Sequence, residues 1–414
     1  MNPFLQLQEP TSDRPAPPQW RAFLEMGFRP LYLCGCAWAL VSVWVWVFAP
    51  GWLTGTLGGV LWHAHEMLWG FIATIAMGFL LTAGANWTGV NPLKGPSLGA
   101  LVAVWLTARV AYLLPWLPAF WIGALADALF FACAALALGR AIYRTRNQRN
   151  YGVPVLALGL GVTHVLYVLA AQQGDYALVL RHFHSGMLCM AIVTLLVARR
   201  VIPFFASRAV PGLQLPMHTR SGHWQLAASV LAAGFGILQW AVPMAVALAA
   251  AGGIALVQWL AWRPLAVRRV PLLWILYAGY GALGVGLLVA AAHALGWVAR
   301  TAWPAHVIGV GGFSVLIIGM ATRTALGHLG RPLKTDRCMV ASFVLIVLAA
   351  LLRLAALWPS PATLGLLHAS AGAWVLGFGL YLWRFAPWLI RPRADAPGSG
   401  QKIIRPVVRP MKSS

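Results

Sequence analysis

Residues 58–83 read GGVLWHAHEMLWGFIATIAMGFLLTA. As a helix this run is long enough to cross the hydrocarbon core of a bilayer, for which about 20 residues suffice. It carries one acid, Glu66, and two imidazoles, His63 and His65, among otherwise apolar and small side chains. Comparable apolar runs recur on both sides of it. They predict spans at about 28–49, 97–115, 119–140, 153–172, 178–203, 224–242, 244–262, 271–297, 303–322, 338–357 and 362–385. With 58–83 that makes an all-α, polytopic helical bundle of about twelve transmembrane helices.

Composition supports this reading. Of 414 residues, 60% are hydrophobic and 9% charged, whereas a soluble chain carries about 25% charged residues. The 42 glycines suit helices that must approach closely without a hydrophobic drive between them. The predicted organisation is a Pro-rich tail at 1–27, a membrane domain at 28–385 and a basic tail at 386–414. The N-terminal tail has no apolar core of the signal-peptide kind.

The formal charge of +22 does not point to nucleic acid, because the cations are confined to alternate connections. Arg140, Arg144, Arg146 and Arg149 form one group, followed by Arg199, Arg200, Arg208 and Arg220. Then come Arg263, Arg268 and Arg269, then Arg331, Lys334 and Arg337, and finally the tail. The opposite connections carry little beyond Arg300. This positive-inside asymmetry predicts both termini in the cytoplasm.

With that orientation His63, His65, His182, His184, His293, His306 and His368 fall near the outer ends of their spans, and His164 lies deeper. Imidazole is costly in hydrocarbon and accepted where it binds a metal, so this gathering is the main functional signal. Two pairs have His-x-His spacing, His63/His65 and His182/His184. Residues two apart on a helix point about 200° apart, so each pair is expected to serve two separate places. Axial haem ligation fits such rings, and a mixed cluster fits copper or non-haem iron. Isolated His164, His293 or His368 is equally well explained by hydrogen bonding across helices.

Only two of the eight acids, Glu66 and Asp127, lie inside predicted spans. Glu66 is a candidate for orienting His65 or delivering protons. Asp127 and Arg109 are similarly spaced from the turn at 116–118 and are expected to pair structurally. Arg181, Arg300 and Arg353 lie toward the histidine side, where they suit haem propionates or simply snorkel. The five cysteines form no Cys-x-x-Cys-His motif, so any haem is expected to be non-covalent. Cys34 and Cys36 read as packing.

Several pieces resemble the NnrS family of polytopic haem- and copper-containing membrane proteins linked to nitric oxide metabolism. They are Phe28-Arg29-Pro30, Trp62-His63-Ala64-His65-Glu66-Met67, Gly78-Phe79-Leu80-Leu81-Thr82-Ala83 and Asn86-Trp87-Thr88-Gly89. Arg200-Val201-Ile202-Pro203-Phe204, His306, Arg323 and Gly327-His328-Leu329-Gly330-Arg331-Pro332-Leu333 continue the resemblance. Ala198-Arg199 and Leu329 depart from the family pattern, which has two glycines and a threonine there.

The resemblance implies haem, in all expectation b-type, together with copper and a place in nitric oxide response, detoxification or reduction. It leaves the electron donor unidentified. One haem held between His63/His65 and His182/His184 is expected, with His306, His164 or His368 completing a second centre. The His-Phe-His spacing is similar to one in haem–copper oxidases, but no His-Pro-Glu-Val-Tyr run or adjacent His-His pair accompanies it. A non-catalytic haem or copper carrier, nitric oxide sensor or assembly factor uses the same ligands. A twelve-helix transporter is disfavoured, since no internal repeat is obvious between the halves.

Overall fold

The computed structural model describes residues 17–395. The parts of the expected tails at 1–16 and 396–414 lie outside them. The described residues contain no strand, and their long helices are α1 (Phe28–Phe48), α2 (Gly59–Thr88), α3 (Pro96–Ala111), α4 (Leu117–Arg144), α5 (Gly152–Gln173) and α6 (Tyr176–Ala209). Next come α7 (Thr219–Ile237), α8 (Ala241–Ala261), α9 (Pro271–Ala294), α10 (Ala302–His328), α11 (Arg337–Ala355) and α12 (Thr363–Leu389). Ten of these helices are long and apolar enough to cross a membrane. The exceptions are α3, with 16 residues, and α7, whose first turns carry Arg220, His223 and Gln225.

The helices form three consecutive groups of four, α1–α4, α5–α8 and α9–α12. The last helix of each group packs on the first of the next: α4 on α5, α8 on α9, and α12 back on α1. The ring is closed by Trp374 on α12, whose indole donates to the Ala39 carbonyl of α1 at 2.7 Å. The second helices, α2 and α10, occupy the middle. Their apolar windows are 89% and 78% buried, against 33% for α11 and α12.

An internal repeat is therefore present, and α2 and α10 share it at residue level. Trp62-His63-Ala64-His65 in α2 matches Trp303-Pro304-Ala305-His306 in α10. Each is followed at once by an eight-residue π-helical turn, Glu66–Ala73 and Val307–Ser314. Each wide turn ends on a hydroxyl bonded five residues back, Thr74 to the Trp69 carbonyl at 3.1 Å and Ser314 to that of Gly309 at 2.8 Å. Pro92-Leu93-Lys94 and Pro332-Leu333-Lys334 then follow the two helices. The repeat escapes notice in the sequence because apolar positions drift freely, while the matching residues are few and widely separated.

Asp336 caps α11, its side chain accepting from the Met339 amide at 2.9 Å and from Arg384 at 2.5 Å. Partial burial alone would raise this carboxyl, but the Met339 amide and Arg384 outweigh it and hold it below the usual aspartate value. Asp336→Ala is expected to cost about 1 kcal/mol at neutral pH, measured by thermal unfolding in detergent. Because the folded value is depressed, the difference should shrink as pH falls through it.

Candidate metal and haem clefts

Each group of four helices encloses a cleft at the histidine end, against the first helix of the next group. In each cleft the histidine of the central helix meets a second one. The pairs are His65 with His164, His184 with His293, and His306 with His63.

Cleft 1, among α2–α5, is closed to solvent. His65, Glu66 and His164 are 0% exposed, and Arg109 and Asp127 1%. Arg109 pairs with Glu66 through Nη1 and with Asp127 through Nη2. Glu66 Oε1 faces His65 Nδ1 at 2.9 Å, while its Oε2 accepts from Trp38 Nε1 at 2.6 Å. Both oxygens of Glu66 are thus engaged. The expected Arg109–Asp127 pair is present. Asp127, however, also lies 3.7 Å from His65 Nε2 and 3.6 Å from His164 Nε2 through Oδ2.

Cleft 2, among α6–α10, encloses about 290 Å³ and is lined by His184, His293, Arg181 and Met244. The His184 and His293 ring centres are 6.1 Å apart. His293 Nδ1 lies 2.6 Å from the Val298 carbonyl. A carbonyl accepts only, so Nδ1 carries the proton and Nε2 keeps its lone pair. His184 Nε2 is buried and has no hydrogen-bond partner.

Cleft 3, between α10–α12 and α1, α2 and α6, encloses about 230 Å³ and is lined by His63, His306, Arg353, Met67 and Met187. His306 Nδ1 faces the Ala302 carbonyl at 2.7 Å, which again leaves Nε2 as the free donor of a lone pair. His63 stacks on Trp46, with ring centres 5.1 Å apart and planes inclined by 11°, and its buried Nδ1 has no partner. Arg353 faces this cavity with no acid paired to it among the described residues.

The His-x-His geometry on α2 is as the 100° helical step requires, since His63 enters cleft 3 and His65 enters cleft 1. On α6, His184 enters cleft 2 while His182 is half-buried. The structure does not bring the α2 and α6 pairs together. His63, His65 and His184 instead meet partners from α10, α5 and α9. His368 is exposed and stacks on Phe48 at 5.5 Å, and Arg300 donates to the Leu357 carbonyl at 2.9 Å.

The sequence reading gave Asp127 only a structural role and left His293 with hydrogen bonding as its equal explanation. The available signal for Asp127 was that it is the second intramembrane acid. His293 offered only its place in the outer gathering, because only the ring of helix groups brings α9 against α6.

Unmet imidazole nitrogens, second nitrogens held by carbonyls or a carboxylate, and an arginine in each open cleft suit haem iron or a transition metal. A comparison with curated proteins finds no match. The NnrS family model, described as NnrS protein, matches residues 22–393. The chain belongs to the NnrS family.

Proposed function

We propose that this chain binds haem and copper in the bacterial cytoplasmic membrane and acts in nitric oxide response, detoxification or reduction. Family membership supports the link to nitric oxide. The observation that carries the cofactor reading is the set of three imidazole pairs contributed by different helices. In this reading all twelve helices cross the bilayer, both termini lie in the cytoplasm, and the histidines lie toward the outer face.

Cleft 2 suits haem best. Two rings that share one metal, with metal–nitrogen bonds of about 2.0 Å, can have their centres no more than about 6.4 Å apart. The observed separation is 6.1 Å. His184 and His293 would hold the iron, and Arg181 would meet a propionate. Haem supplies an iron that exchanges electrons and, where a coordination position is open, binds nitric oxide.

Cleft 3 would hold the second centre, as haem or copper. His306 and His63 are its imidazoles, Met67 and Met187 offer thioethers, and Arg353 is free for a carboxylate. Nitric oxide is small and apolar and can reach it through lipid. An external electron donor is required for reduction. A carrier, sensor or assembly role is favoured if both clefts bind their metal by two rings with no open position.

Metal analysis and optical spectra of detergent-purified protein test this. His184→Ala and His293→Ala should each remove one haem, and His306→Ala should alter a different component. Nitric oxide should change the spectrum if a position is open, whereas an unchanged spectrum selects the carrier role. Wild-type protein free of haem would overturn the reading.

A further inference from the structure

We propose that cleft 1 is a site for a single transition-metal ion, bound by His65 Nε2, Asp127 and His164 Nε2. The site extends the metal reading beyond the two roomier clefts and does not depend on haem in either.

The first argument is spacing. Tetrahedral ligation with bonds of about 2.0–2.2 Å places donor atoms about 3.3–3.6 Å apart. Asp127 Oδ2 lies 3.7 Å from His65 Nε2 and 3.6 Å from His164 Nε2. Two imidazoles on one tetrahedral ion have ring centres about 5.2 Å apart by the same bond lengths. Those of His65 and His164 are 5.1 Å apart, about 1 Å closer than the pair in cleft 2. The pairs are set for different ligation angles.

The second argument is unmet bonding. His65 Nε2 and Asp127 Oδ1 are buried without hydrogen-bond partners. Such groups carry a desolvation cost unless something binds them. Asp127 Oδ2 accepts from Arg109 and, as the oxygen placed near both imidazoles, keeps a second lone pair for the metal, so one oxygen can serve guanidinium and ion together.

Charge agrees. Glu66 and Asp127 bring two negative charges and Arg109 one positive, so with neutral imidazoles one negative charge stays buried. A bound divalent ion offsets it and leaves one net positive charge. Glu66 against His65 Nδ1 at 2.9 Å supplies the carboxylate–histidine–metal arrangement that directs Nε2 at the ion. The Tyr112 hydroxyl hydrogen-bonds His164 Nε2 at 3.3 Å, a long contact that a metal on that nitrogen would replace. An imidazole and carboxylate set takes copper(II), zinc or ferrous iron rather than calcium or magnesium.

The test uses full-length protein in detergent, loaded separately with copper(II), zinc(II) and iron(II) salts and then desalted. With at least one of these, the wild type should retain one equivalent beyond haem iron and any metal held in cleft 3. His164→Gln should lose that equivalent at least tenfold in occupancy, with its haem content unchanged, while His182→Gln keeps it. X-ray absorption at the edge of the retained metal in His306→Ala protein, which lacks the cleft 3 site, should show nitrogen and oxygen neighbours only, with imidazole scattering. No additional metal with any of the three ions would overturn the proposal, as would full retention in His164→Gln. Sulfur neighbours around that equivalent would also overturn it, and the absorption measurement stands even if His164→Gln fails to fold.

Discussion

Arg109→Met is expected to destabilise the protein by about 3–5 kcal/mol. Arg109 is 1% exposed and bridges Glu66 and Asp127, themselves 0% and 1% exposed. Removing it leaves two carboxylates in an interior closed to solvent, where Coulomb repulsion and lost solvation act together. Methionine fills much of the volume, so the loss reports charge rather than a cavity. The check is the thermal midpoint and the monodisperse yield in detergent. Combining it with Glu66→Gln and Asp127→Asn should recover most of the loss, because the whole network is then neutral. A single variant as stable as the wild type would remove this cluster from the fold's essential interactions.

Gly279→Val is expected to cost about 3 kcal/mol or more. A Cβ at Gly279 on α9 would lie 2.7 Å from the Leu316 backbone nitrogen and 3.1 Å from the Gly312 carbonyl oxygen of α10. Backbone atoms cannot swing aside as a side-chain tip can, so the helices must separate. The displaced segment includes the end of the π-helical turn Val307–Ser314, which lines cleft 3 through Gly309, Val310 and Ser314. Gly253→Val on α8, where a Cβ meets nothing within 4 Å, is the control. Equal thermal midpoints for the two variants would contradict close approach as the reason for Gly279.

Much of the helical plan is legible in one dimension, because length and apolarity decide whether a helix can cross a bilayer. α1, for example, runs Phe28–Phe48 where 28–49 was expected. α6 runs on to Ala209 through Pro203, although composition becomes polar earlier. The separation of His63 from His65 is equally legible, since it follows from the angle per residue. Partnership is different. His65 meets His164 and His184 meets His293 because one helix group closes on the next, and that closure is written in dispersed small residues. The Arg109–Asp127 pair could be read because a short turn joins its helices. The approach of both to His65 could not, since it depends on how α2 sits between them.

The return of α12 onto α1 makes the order of groups cyclic, although the chain that forms them is linear. A circularly permuted gene could begin at the α4–α5 connection and join the old ends with a flexible linker. Every helix would then keep the same neighbours, so the starting point of translation is separable from the architecture it yields.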